Sequence, residues 1–338
     1  MSPRAFISGI ADKTLSAAER SFLREADPWG VIFFGRNVES PEQVKRLSAS
    51  IRGALGRPAP ILVDQEGGRV QRLGPPHWPS YPAGAVYGRR YDASPERATR
   101  AAYLGAYLMA ADLIAVGIDV DCLPIADVPV RGANSVIGDR AYGDSATKVA
   151  AIAESVAFGL LQCGVLPVLK HLPGHGRATA DSHHGLPVVE VDRPTLLATD
   201  FAAFQPLKDL PLGMTAHVVY ADIDPVAPAT TSLTVVRDVI RGSIGFSGLL
   251  MSDDISMEAL SGPLQQRARA ALAAGCDVVL HCNGNMDEMQ EVAAAVPLMP
   301  AEAQIRAHSA LERRGVVGRD DTAKLRAEWT MLMNAGVS

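Results

Sequence analysis

Cysteine is scarce in this chain. Its four cysteines, Cys122, Cys163, Cys276 and Cys282, form no C-x-x-C pair and sit in apolar stretches. They read as free buried thiols in a reducing compartment rather than as a disulfide framework or a thiolate metal site. Nor is there a run of about 18 uninterrupted apolar residues, so no transmembrane helix and no membrane partner are expected. The apolar run around Phe6 and Ile7 is too short for a signal peptide, and a cytoplasmic location is the expectation. No low-complexity tract points to disorder. With a net charge of −5 there is no basic excess, so no nucleic-acid partner is expected. No G-x-G-x-x-G follows the first candidate strand, which counts against a dinucleotide-binding fold.

What the chain does have is a repeated pattern. Hydrophobic residues make up 48 % of it, enough for a substantial core. Short apolar runs at 5–9, 30–34, 61–63, 119–123, 165–169, 212–215, 248–251 and 277–280 alternate with longer Ala-rich helical stretches. Each run is continuous rather than alternating, as strands buried on both faces are. Helix starts are marked by Ser40-Pro41 (ending near Gly56), by Ser94-Pro95-Glu96 and by Asp192-Arg193-Pro194. Eight strand–helix repeats predict an α/β fold, a single (β/α)8 TIM barrel with a short helical C-terminal extension. The whole of 1–338 reads as one domain, with the barrel over about 4–297 and helices over about 298–338, too few residues for a second sizeable domain.

Barrels carry their chemistry at the C-terminal ends of the strands, so the residues following each run are the candidates. They are Arg36 and Asn37; Asp64 through Arg72; Pro124 and Asp127, with Asp139 and Arg140 in the loop beyond; Lys170 and His171; His217; Ser252, Asp253 and Asp254; and His281 with Asn283. The richest stretch is Lys170-His171-Leu172-Pro173-Gly174-His175-Gly176 running on to Asp181-Ser182-His183-His184-Gly185. Four of the eight histidines fall in it. Asp181 and His183, two apart in a glycine-bounded loop, can face the same side, where a carboxylate would orient the imidazole as a general acid. Asp253 reads either as the N-cap of a following helix or, with Asp254 taking the cap, as a group facing the barrel mouth. Asp64, Arg72, Arg140 and Lys170 suit rim salt bridges or charge-assisted contacts to a polyhydroxylated ligand. A metal site built from His171, His175, His183 and His217 is the competing reading. It lacks the strand-end H-x-H pair, and His171 and His175 are separated by Pro173-Gly174, so they cannot share a helix face.

Four motifs, in this order and spanning most of the chain, resemble the bacterial cytoplasmic β-N-acetylglucosaminidases of glycoside hydrolase family 3, the NagZ type. They are Val63-Asp64-Gln65-Glu66-Gly67-Gly68-Arg69-Val70-Gln71-Arg72, Ile137-Gly138-Asp139-Arg140-Ala141-Tyr142-Gly143, the Lys170–Gly176 stretch with Asp181-Ser182-His183, and Met251-Ser252-Asp253-Asp254-Ile255-Ser256-Met257. The family more usually has Asn at Asp139, Phe at Tyr142 and at Leu172, and Leu at Ile255. Asp139 thus adds a negative charge beside Arg140, with a small change in sugar or aglycone affinity as the expected consequence. The resemblance implies a retaining glycosidase. Asp253 would be the nucleophile and His183 the general acid/base, with Asp181 as its dyad partner. Asp64, Arg72, Arg140, Lys170 and His171 would hold N-acetylglucosamine. It further implies no metal and no cofactor. The implied partner is a carbohydrate, N-acetylglucosaminyl-1,6-anhydro-N-acetylmuramic acid with or without a stem peptide, met by a monomer in cell-wall recycling. A phosphorylase acting on the same glycosides is the alternative within this chemistry, and a metal-dependent barrel hydrolase the alternative outside it.

Overall fold

The computed structural model describes residues 2–178, 182, 185–315 and 321–334, so Asp181, His183 and His184 lie outside the described residues. Eight parallel strands close into a barrel in chain order: β1 (Arg4–Ser8), β2 (Pro28–Phe33), β3 (Ile61–Val63), β4 (Val120–Asp121), β5 (Leu166–Leu172), β6 (Leu212–Thr215), β7 (Leu249–Asp254) and β8 (Val278–His281). The ring is completed by β1 against β8, with Phe6 opposite Val279. The expected (β/α)8 barrel is therefore the fold. Strands β3 and β6 start and stop where the sequence suggests, whereas β5 and β7 run further, to Leu172 and Asp254. Both carry a register irregularity at that end, between Leu169 and Leu172 and between Met251 and Asp254. Bulges of this kind re-aim side chains at barrel rims.

Two apolar layers flank strands such as β1, β2, β3 and β8, which is why those runs read as continuous. Phe6, Val31, Phe33, Ile61, Val63 and Val279 face the surrounding helices. Their alternates Ile7, Ile32, Leu62, Val168, Met251 and Leu280 fill the barrel interior. Helix Ala301–Glu312 presents Ala303, Ala307 and Ala310 to this interior cluster; their spacing puts them on one face. Polar stitching at the N-terminal ends of the strands completes the floor. Asp119, just before β4, accepts from the Ile61 amide at 2.8 Å and pairs with Arg314 at 2.6 Å. Asp277, just before β8, accepts from the Leu250 amide at 2.9 Å and pairs with Arg241 and Arg306 at 2.9 and 2.7 Å.

The expected helix starts are present. Ser40 accepts from the Gln43 amide to cap Pro41–Leu55, which ends on Gly56 in the left-handed region (φ 65°). Asp192 caps Arg193–Ala198 through the Thr195 amide. Pro95–Ala115 runs 21 residues and receives the C-terminal helix Thr322–Asn334 along its side, joined by a bidentate Arg100–Glu328 pair at 2.7 and 2.8 Å. Among the described residues, no helix is long and apolar enough to cross a membrane.

Candidate active site

The strand alternation that fills the barrel also sets what stands on top of it. Leu62, Val168 and Met251 point inward, so two residues on, Asp64, Lys170 and Asp253 emerge at the C-terminal mouth on the same side. They line a cavity of ≈ 330 Å³ together with Glu66, Arg72, Arg140, His171 and His175, and with apolar walls from Phe34, Met214 and Met257. That volume lies at the small end of the range for small-molecule sites.

One wall is a buried ion network. Lys170 Nζ lies 2.8 Å from Asp64 Oδ1 and 2.7 Å from Glu66 Oε1. Arg140 grips Glu66 with both Nε and Nη2 at 2.8 Å, and Arg72 reaches Asp64 Oδ2 at 3.4 Å. Burial alone would push these carboxyls up. Lys170 and Arg140 outweigh it and hold Glu66 at about 2, and Lys170 with Arg72 likewise keeps Asp64 low. Lys170 in turn stays protonated, because Asp64 and Glu66 offset its own burial. Gln65, fully buried, ties the hairpin that delivers Arg72 by accepting from the Arg72 and Leu73 amides at 2.9 and 3.0 Å. Gly84 and Gly88 let their helix approach the Arg140 and Tyr142 carbonyls more closely than any Cβ would allow, which seats the backbone behind Arg140.

The end of β5 is organised by Asp127, which is fully buried. Its Oδ2 accepts from His171 Nδ1 at 2.7 Å, and its Oδ1 accepts from the His171 and His175 amides at 3.3 and 2.6 Å. Burial opposes its ionisation, but His171 and His175, through charge and hydrogen bonds together, outweigh it and the carboxyl stays below its usual range. His175 Nε2 lies 3.1 Å from Ser182 Oγ, while its Nδ1 is buried without a partner among the described residues. Burial, reinforced by His171, lowers the His175 pKa to about 4, so this ring is neutral near pH 7.

At the end of β7 the two aspartates divide their work. Asp254 accepts from the Ser256 amide (3.0 Å), the Ser256 hydroxyl (2.6 Å) and the Cys282 amide (3.3 Å). Among the described residues the Asp253 carboxylate accepts only from the Asp254 amide, at 2.8 Å, and it lines the cavity. The expectation that a helix starts at Asp253 is incorrect. The strand extends through Asp254, a turn capped by that residue follows, and the next helix begins at Leu264. Asp253 is half-buried; burial would raise its pKa, but His217, His171, the Asp254 amide and Lys170 together outweigh that and keep it a carboxylate below the usual range. His217 is fully buried with both nitrogens engaged, Nε2 at 2.9 Å from the Asp254 carbonyl and Nδ1 at 2.7 Å from Thr230 Oγ1.

The mouth therefore gathers Asp64, Arg72, Arg140, Lys170, His171 and Asp253. Arg36, Asn37, His217, His281 and Asn283 are strand-end residues that serve as braces instead: Arg36 and Asn37 bond the Ile10 carbonyl, and His281 and Asn283 share Glu288. His217, with both nitrogens committed, has no lone pair left for a metal. Among the described residues no three His, Cys, Asp or Glu side chains are grouped to hold one. Asp139 engages Arg69 at 3.0 Å rather than Arg140, whose charge is met by Glu66. Glu66 and Asp127 stand among the strand-end candidates, but the sequence reading assigned neither a role in the site. Glu66 carried a usable signal, since it lies two residues from Asp64 on the same side of an extended segment. Asp127 carried none beyond being an acid after a strand, because its partners are 44 and 48 residues away.

The chain matches the model of the glycosyl hydrolase family 3 N-terminal domain over residues 8–312. It is 42 % identical over 279 residues to a β-hexosaminidase of Alkalilimnicola ehrlichii, covering 81 % of this chain and 79 % of that protein. It is 39 % identical over 285 residues to a β-hexosaminidase of Bordetella avium, covering 83 % and 81 %. Its structure superposes on NagZ from Neisseria gonorrhoeae, solved with N-trifluoroacetyl-D-glucosamine, with a TM-score of 0.88 and 31 % identity over 98 % of each chain. With the described residues of its motifs gathered around one barrel mouth, the chain belongs to glycoside hydrolase family 3 and is a glycoside hydrolase.

Proposed function

We propose that this glycosidase is a retaining β-N-acetylhexosaminidase that releases terminal β-linked N-acetylglucosamine through a covalent glycosyl-enzyme. The observation that carries the reading is Asp253, a half-buried carboxylate kept ionised by cations and imidazoles and left, among the described residues, with a single internal hydrogen bond. An ionised carboxylate with unspent lone pairs, on a rigid strand end at the base of a sugar-sized cavity, is what nucleophilic attack on an anomeric carbon requires. Asp64, Arg72, Arg140, Lys170 and His171 would hold the sugar by charge-assisted hydrogen bonds. Binding of an N-acylated glucosamine by the Neisseria relative agrees with that assignment.

The second group is His183, supported by Asp181. In the first step Asp253 attacks C1 while protonated His183 gives its proton to the departing glycosidic oxygen. In the second, neutral His183 takes a proton from water, whose oxygen displaces Asp253 from C1 and restores both groups. The sequence neighbour Ser182 supports this: its hydroxyl bonds His175 and its carbonyl accepts from the Ala259 amide at 3.2 Å, and Ser182 itself lines the cavity. The substrate we infer is N-acetylglucosaminyl-1,6-anhydro-N-acetylmuramic acid, with or without peptide, processed by a cytoplasmic, monomeric, one-domain enzyme during cell-wall recycling.

Turnover of an aryl N-acetyl-β-glucosaminide tests the activity. His183→Ala should slow a natural disaccharide by about 10²-fold or more while an activated aryl glycoside is affected far less. Equal slowing of both, or full activity on the disaccharide, contradicts the assignment of His183. In phosphate buffer the expected product is free N-acetylglucosamine; the sugar 1-phosphate would identify a phosphorylase instead.

A further inference from the structure

Asp127 touches no part of the cavity, yet the atoms around it determine what His171 offers there. Its Oδ1 faces two backbone amides, those of His171 and His175. Backbone N–H groups can only donate, so this oxygen is an acceptor in every state of the protein. Its Oδ2 faces His171 Nδ1 at 2.7 Å in a fully buried position. A carboxylate has no proton to give, so the hydrogen of that bond belongs to His171 Nδ1. In the neutral ring the other nitrogen, Nε2, then carries a bare lone pair. His171 lines the cavity, and among the described residues no hydrogen bond is made to its Nε2.

The neighbouring wall is rich in groups that only donate, Lys170, Arg72 and Arg140, and its acceptors Asp64 and Glu66 are already engaged by them. A sugar hydroxyl has one proton and two lone pairs. It can accept from one of these cations and still needs somewhere to donate. We propose that Asp127 is a positioning residue that holds the proton of His171 on Nδ1, so that His171 recognises a substrate hydroxyl as a hydrogen-bond acceptor through Nε2. The inference rests on the sugar-binding reading of the cavity only for the identity of the donor. The tautomer is a property of the protein alone.

Asp127→Asn makes the distinction sharp. The amide oxygen of asparagine must take over the two backbone N–H groups, which turns its NH₂ toward His171 Nδ1. That nitrogen must then accept, and the ring's proton moves to Nε2. The hydrogen bond His171 offers to the substrate is reversed in direction without any change of size.

The test has two parts. Nitrogen-15 NMR of the ligand-free protein, with the His171 signals assigned by their loss in His171→Gln, reads the tautomer directly. The expected result is Nδ1–H in the wild type and Nε2–H in Asp127→Asn. An Nε2–H wild type overturns the proposal whether or not the variant folds. Second, aryl N-acetylglucosaminides with single hydroxyls replaced by fluorine, which cannot donate, are compared by kcat/KM. At one ring position the wild type should lose at least about 10-fold, and Asp127→Asn should lose less than about 3-fold at the same position despite lower activity on the parent. Equal losses in both proteins, or no sensitive position in the wild type, overturn the proposal. If no aryl N-acetylglucosaminide is turned over by the wild type at all, it is the sugar reading that fails, and the NMR result still decides the tautomer.

Discussion

The two ends of this barrel use the same ingredients for different ends. At the floor, Asp119 and Asp277 each meet two arginines and cap the first amides of a neighbouring strand, as Asp277 does for Leu250 while pairing with Arg241 and Arg306. Each of their oxygens is engaged by an amide or a guanidinium, and the cavity beside Asp277 is lined by the same Arg241 and Arg306 that pair with it. At the mouth, Asp64 and Glu66 also meet two cations each, but Lys170, Arg72 and Arg140 stand with donors facing a ≈ 330 Å³ cavity. Asp253 has only one internal bond among the described residues. Ion pairing at the floor fixes strand order; at the mouth it pre-aligns donors and acceptors for a ligand. The number of unspent hydrogen-bonding positions separates a structural network from a working one more clearly than charge or burial does.

The strongest way to break this contrast is to substitute one aspartate at each end. Asp253→Ala should lower kcat by at least about 10³-fold, because removal of a nucleophile leaves only binding and positioning effects. Its melting temperature should stay the same or rise, since the lost carboxylate contributes little to internal bonding. Asp277→Ala should do the opposite. Leaving Arg241 and Arg306 without their shared partner should cost about 3 kcal/mol in denaturant unfolding, with kcat of the folded fraction unchanged.

Glu66→Gln comes next, because it touches both roles. Weakened neutralisation of Lys170 and Arg140 should lower kcat/KM by about 10-fold, mostly through KM, in initial-rate measurements. It should also alter acid stability. The folded Glu66 pKa, about 2, lies below the ordinary 4.5, so its contribution is complete above pH 4.5 and is lost as pH falls toward 2. The variant should show a flatter stability profile in that window.

His175 sharpens the same comparison at milder pH. Its folded pKa of about 4 lies below the ordinary 6.5, so the unfolded chain takes up the proton first. Stability should be complete above pH 6.5 and decline as pH falls toward 4; in His175→Gln, urea unfolding across that range should be less pH-dependent. The smallest effect belongs to the exposed Lys13–Glu39 pair at 3.6 Å, where Glu39→Ala should change stability by less than about 0.5 kcal/mol.

The sequence made the barrel legible because β-branched and apolar runs buried on both faces differ so plainly from the Ala-rich helices between them. The mouth was legible to the extent that a strand end predicts it. Asp64, Lys170 and Asp253 follow inward-pointing residues by two, and this parity is visible before any coordinates are. Less visible were features set by distant segments. His217 looked like a candidate ligand until its two nitrogens were found committed to Thr230 and the Asp254 carbonyl. Asp139 looked like a partner of Arg140 because the two are adjacent in the chain, whereas Arg69 was the residue that folding brought to it. The Ser252-Asp253-Asp254 run carries a helix-cap composition, but the bulged continuation of β7 takes it into the barrel rim and Asp254 caps a turn instead.

The most direct test of Asp253 as nucleophile is to trap the glycosyl-enzyme with an activated fluorosugar analogue of N-acetylglucosamine and to map the adduct by mass spectrometry of the intact protein and its peptides. The account predicts one sugar per chain, attached to the peptide carrying Asp253 and absent from Asp253→Ala. An enzyme that turns over the aryl glycoside but yields no adduct, or an adduct on another residue, would contradict it.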